Sequence, residues 1–137
     1  MKILVILLTA LFSFSALAHH NYRLKFDDSQ EITLTGVVTN FDWKNPHIEI
    51  FMDVEGEDGE IVSWILPTAA PRVAGGNGIT KDTVKEGDTL AAVGWPSRDG
   101  SNEMRARLMT LEDGTEYRLS PNRNGTAMGG GGMRQGQ

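Results

Sequence analysis

The sequence predicts a small all-β domain, and three observations carry that expectation. Short apolar runs alternate with polar residues at a period of two. Clusters of Gly, Pro, Asn and Asp punctuate those runs at the places where hairpins would turn. The first run is long and carries an interior glycine where the apolar phase shifts, as in a coiled or bulged strand.

Residues 31–43 read as that long strand. Ile32 and Leu34 share one face, and the phase moves at Gly36 to Val37, Phe41 and Trp43. Lys44-Asn45-Pro46 ends it, because proline has no N–H for a ladder and restricts the residue before it. His47 to Val54 alternates cleanly, with Ile48, Ile50, Met52 and Val54 on one face and His47, Glu49, Phe51 and Asp53 on the other. Glu55 to Gly59 is an acidic hairpin loop, with residues 60–66 as the return strand. The stretch 67–78, rich in Pro, Ala and Gly, is a connection with room for a short helix, and residues 80–84 fit one helical turn. Lys85 to Asp88 is a turn, residues 89–95 a fourth strand and 97–101 a loop. Residues 103–111 make a fifth strand, and Asp113-Gly114 turns into a sixth segment at 115–119.

Five or six strands, the first long and bent, with the one irregular connection between the third and fourth, is the layout of an OB-like Greek-key barrel. A β-sandwich is the alternative. From Ser120 to the C-terminus, with Gly129 to Gly132 in a row, apolar content is too low to pack, and this tail is expected to be disordered.

The N-terminus reads as a secretory signal peptide over residues 1–18. Lys2 gives the positive start, residues 3–14 the apolar stretch, and Ala16-Leu17-Ala18 the cleavage box. The apolar stretch falls short of the roughly 20 residues that span a bilayer, and no second one follows. Removing 18 of the 137 residues leaves 119, one domain with one core, over residues 19–119 plus the tail. Twelve basic residues then stand against 18 acidic ones, a net charge of −6. That excess argues against nucleic acid or an anionic membrane as partner and is compatible with cations. There is no cysteine, which excludes disulfides, thiolate metal sites and lipid anchoring through an N-terminal cysteine.

The chain has three histidines, and cleavage after Ala18 makes His19 and His20 the first two residues of the mature protein. An N-terminal histidine offers its α-amine and its ring to one metal. The ring of His47 would complete a three-nitrogen, T-shaped site, a histidine brace. Copper(II) suits such ligands, because it heads the divalent affinity order and favours square-planar nitrogen donors. The amine and imidazole, with ordinary pKa values of about 7.7–8.0 and 6.5, give up their protons near neutral pH. His47 follows the stiff Asn45-Pro46 pair, and Glu49, two residues on, is placed to orient an imidazole. In a rival mode the amine, the next amide and the His20 ring bind copper(II) without His47.

Other features read as structural. Met104 and Met109, five apart, are expected on opposite faces of a strand, with at least one in the core. Met128 and Met133 flank the glycine run in the tail. Trp43, Trp64 and Trp95 are expected chiefly as core. The acidic loop around Asp53, Glu55, Glu57, Asp58 and Glu60 lacks the ordered spacing of an EF-hand. No nucleophile elbow, phosphate loop or zinc-protease helix occurs.

His19-His20, then Leu34-Thr35-Gly36-Val37-Val38, then Phe41-Asp42-Trp43-Lys44-Asn45-Pro46-His47 resembles an uncharacterised family of small exported bacterial proteins. Gly87-Asp88, Arg98-Asp99-Gly100-Ser101 and Leu111-Glu112-Asp113-Gly114 are similar to it as well. The resemblance implies fold and compartment more than activity, and it pairs His19, His20 and His47 as motif positions. Residues 67–78 depart from it. The expectation is therefore a periplasmic or secreted copper-binding protein that carries, buffers or delivers the metal, with a periplasmic protein as a further partner. The alternative is a metal-free OB-type interaction module with Trp43, Phe51 and Trp95 lining its face, and a copper oxidative enzyme ranks last.

Overall fold

The computed structural model describes residues 24–119. The expected signal peptide over residues 1–18, His19, His20 and the tail with Met128 and Met133 lie outside the described residues. Among those described, six strands form one sheet: β1 (Ile32–Asp42), β2 (Glu49–Glu55), β3 (Ile61–Pro67), β4 (Thr89–Pro96), β5 (Met104–Leu111) and β6 (Glu116–Arg118). One short helix, α1 (Pro71–Gly76), joins β3 to β4. The fold is all-β, as the alternation predicts.

The strand order is β3-β2-β1-β4-β5-β6, with every ladder antiparallel. β1 is long enough to serve two neighbours: residues 32–37 pair with β4, and residues 37–42 with β2. The expected barrel is not closed. Its two flanks meet at a single parallel bridge, Ile65 with Glu103, where the Ile65 N–H donates to the Asn102 carbonyl. The cause is β6. It pairs with Leu108–Thr110, and the Leu119 N–H donates to the Arg107 carbonyl, so most of the free side of β5 is occupied before β3 can reach it. Upstream of the bridge, Ile61 and Ser63 turn their backbone groups away from β2, an open edge two residues wide.

The phase change in β1 sits three residues later than the glycine. Ile32, Leu34, Gly36 and Val38 lie on one face, and Val38 is buried while Val37 is 45% exposed. A bulge at Thr39 then shifts the register, so that Phe41 and Trp43 pack against the core. Gly36 is there for a different reason: a Cβ would come 2.2 Å from the Asp53 carbonyl oxygen. A second bulge, at Arg107 on β5, corrects the methionine reading. It restores the inward phase after Ala106, so Met104 and Met109 are both fully buried rather than on opposite faces.

The core gathers Val38, Ile50, Met52, Leu66, Leu90 and Met109, with Ala74 of α1 packed into it. Pro71 at the start of α1 needs no N–H there, and Gly78 at φ +82° turns the chain out of it. Residues 80–84 form hydrogen-bonded turns instead of the expected helical turn, because the Thr83 hydroxyl accepts from the Thr80 N–H. Trp64 joins Trp43 at the margin of the core.

Candidate functional site

The turn from Trp43 to His47 joins β1 to β2 and carries the Asn45–Pro46 peptide in the cis form. Just past it the backbone is fixed. Ile48 is buried, its N–H donates to the Ala69 carbonyl, and its carbonyl accepts from the Thr68 N–H. His47 is therefore attached to a rigid point, half-buried at the entry to β2. It is the one histidine among the described residues.

Glu49 pairs with Asp42 across the β1–β2 hairpin. The Lys44 ammonium bridges both carboxylates, 2.6 Å from Asp42 Oδ2 and 2.9 Å from Glu49 Oε2. Asp42 first, then Glu49, hold the Lys44 pKa above its ordinary value. Glu49 is thus engaged by Lys44, a partner that sequence reading missed although hairpin pairing places the three together. The clamp leaves one negative charge in excess. Asn45 is exposed at the apex of the turn.

The chain entering the described region is pinned elsewhere. Phe26 is 2% exposed and bridges Ser97. The Asp27 N–H donates to the Pro96 carbonyl, and the Arg98 N–H to the Lys25 carbonyl. Lys25 forms an ion pair with Glu103. Arg98 contacts both Asp27 and Asp28.

The three aromatic residues expected on one face are dispersed. Trp43 packs toward the core, 6.0 Å edge-on from Phe41. Phe51 is on the outer face of β2, directly across from Ile65. Trp95 is on the outer face of β4, beneath the guanidinium groups of Arg107 at 4.8 Å and Arg105 at 5.7 Å. Arg107 also holds Glu31 at 2.6 Å.

Among the described residues no group of three or more His, Cys, Asp or Glu converges as a metal site, and no helix is long and apolar enough to cross a membrane. The architecture defines a small all-β domain with a histidine fixed at the β1–β2 turn. The chain belongs to DUF6152, a family of unknown function, which matches residues 7–106. The matched stretch spans all three histidines. No curated protein matches the chain.

Proposed function

We propose that this is an exported, periplasmic or secreted protein that binds copper through the α-amine and ring of His19 together with the ring of His47, and that it handles the metal rather than catalysing with it. The observation that carries the reading is the placement of His47, half-buried at the fixed entry to β2 beside the Asp42–Lys44–Glu49 cluster. The excess carboxylate charge of Asp42 and Glu49 over Lys44 favours a cation at that turn.

Metal handling is preferred because the outer-face aromatics Phe51 and Trp95 stand on separate strands and make no continuous platform for a polymer. A second reading is a metal-free docking module, favoured by the exposed side chains of Val37, Ile61 and Ile65.

The test is a copper(II) titration of chain beginning at His19. About one equivalent should bind through nitrogen donors, more tightly than zinc or nickel. A Met added ahead of His19, or His47→Ala, should each weaken binding at least tenfold, a loss of about 1.4 kcal/mol. Equal affinity in all three proteins defeats the reading and leaves the docking module.

A further inference from the structure

Trp95 is half-buried on the outer face of β4. The ladders set it between Arg105, its direct partner on β5, and the entry to β1, where Ile32 pairs with the neighbouring Gly94. Two guanidinium groups stand over its ring, Arg107 at 4.8 Å and Arg105 at 5.7 Å from the centroid. Arg107 is the bulged residue of β5, and a bulge re-aims a side chain. It reaches from β5 to Glu31, just ahead of β1, where Nη1 meets Oε2 at 2.6 Å.

That ion pair uses little of what arginine offers. A guanidinium carries five N–H donors in a planar fork, which matches the edge of a carboxylate with two parallel bonds. Glu31 meets the fork through one oxygen, and its side chain is 52% exposed. Exposed pairs of this kind contribute little, so a carboxylate that engages the fork with both oxygens can displace Glu31. Contact with the Trp95 ring holds the guanidinium groups in place before a ligand arrives, which lowers the entropy cost of binding. Two cations stand against one carboxylate here, on a chain whose overall charge is negative. Arg105 and Arg107 are two residues apart, roughly 6.6 Å along a strand, and both heads lean over one ring.

We propose that Trp95, Arg105 and Arg107 form a binding site for a short-chain dicarboxylate, one carboxylate on each guanidinium, with Glu31 as the internal occupant of Arg107 until the ligand displaces it. Glu31 defines the ligand chemistry, since the group already seated on Arg107 is a carboxylate. The site lies away from the β1–β2 turn and goes beyond the copper reading.

The experiment titrates succinate into metal-free chain beginning at His19, at fixed low ionic strength, and follows the indole N–H resonances. Acetate and sulfate serve as comparison ions. Succinate should shift the Trp95 indole, leave those of Trp43 and Trp64 in place, and bind more tightly than either comparison ion. Glu31→Gln removes the internal competitor and should tighten succinate roughly threefold. Arg107→Lys keeps the charge but loses the fork, and should weaken it roughly fivefold. Arg105→Gln should bring succinate down to the affinity of acetate. Unmoved Trp43 and Trp64 resonances show that each variant is folded; should Arg107→Lys fail that check, the Glu31→Gln gain decides alone. Sulfate bound as tightly as succinate overturns the dicarboxylate assignment. No shift at Trp95, or an affinity that Glu31→Gln fails to raise, overturns the site and leaves the arginines as a cover for the ring.

Discussion

Gly36 and Asp53 touch backbone to backbone where β1 passes from one neighbour strand to the other: a Cβ at Gly36 would stand 2.2 Å from the Asp53 carbonyl oxygen and 2.9 Å from Met52 Cε. The methionine end could move aside, but the carbonyl belongs to a ladder and cannot. Gly36→Ala should therefore destabilise the fold by about 2–4 kcal/mol, read as a lowered denaturant midpoint. Gly94→Ala should behave alike, because its Cβ would meet the Arg105 carbonyl oxygen at the same 2.2 Å. Gly75→Ala, which meets nothing within 4 Å, is the control.

The bulge at Arg107 has its own signature in stability. Because both methionines of β5 are fully buried, Met104→Ala and Met109→Ala should each cost about 2–5 kcal/mol. Leu108→Ala, on the outer side, should cost much less. Equal losses at Leu108 and Met109 in urea unfolding would place the bulge elsewhere.

Acid should destabilise the protein in a narrow window. Asp99 is held well below the ordinary carboxyl value of 3.8 by Ser101 and by the Ser97 hydroxyl. Asp27 is lowered by Ser29, and Asp113 by the Thr115 N–H. A depressed carboxyl stabilises the fold above its unfolded pKa and loses that contribution as pH falls through the folded value. The melting temperature should thus change little through these groups from pH 7 to 5 and drop below about pH 4. Asp99→Asn should be less stable than the parent at pH 7 and converge with it in acid.

Copper affinity should fall with acid at a higher pH. Protons compete for the imidazoles and the amine, so binding should weaken as pH drops through about 8 and further through about 6.5. His47→Ala should cost more affinity than His20→Ala, measured by competition with a chelator. The reverse order identifies the rival mode, in which the His20 ring and the intervening amide hold the metal. N-terminal sequencing of exported protein should begin at His19; a start at His20 removes the amine ligand on which the order depends.

The alternation in β2 made its faces readable from the sequence, since Ile48, Ile50 and Met52 are buried and the residues between them are not. Hairpin positions were readable for a similar reason, because Gly59 and Gly114 take positive φ where the turns demand it. Of the two bulges, the first was legible as a phase change in β1 but lies at Thr39 rather than Gly36, and the second was not legible. A bulge changes which side chains point inward without altering composition, so Val37 looked buried and the methionines looked opposed. Nor was the missing closure, which depends on a three-residue strand and on Leu119 competing for the free side of β5. At the site, sequence alone placed His47 at the start of β2. The Lys44 clamp and the Phe26 anchor needed the pairing of distant segments to emerge.

An unsealed sheet invites association between chains, and here the invitation is small. Among the described residues, β3 leaves the outward backbone groups of Ile61 and Ser63 unclaimed by β2 or by the bridge at Ile65. Two residues give too few cross-chain hydrogen bonds to nucleate an intermolecular ladder. Glu55, Glu57, Asp58 and Glu60 at the adjoining hairpin would set like charges against an approaching copy. The charged tip thereby acts as a gatekeeper that opposes edge-to-edge pairing along this end of β3.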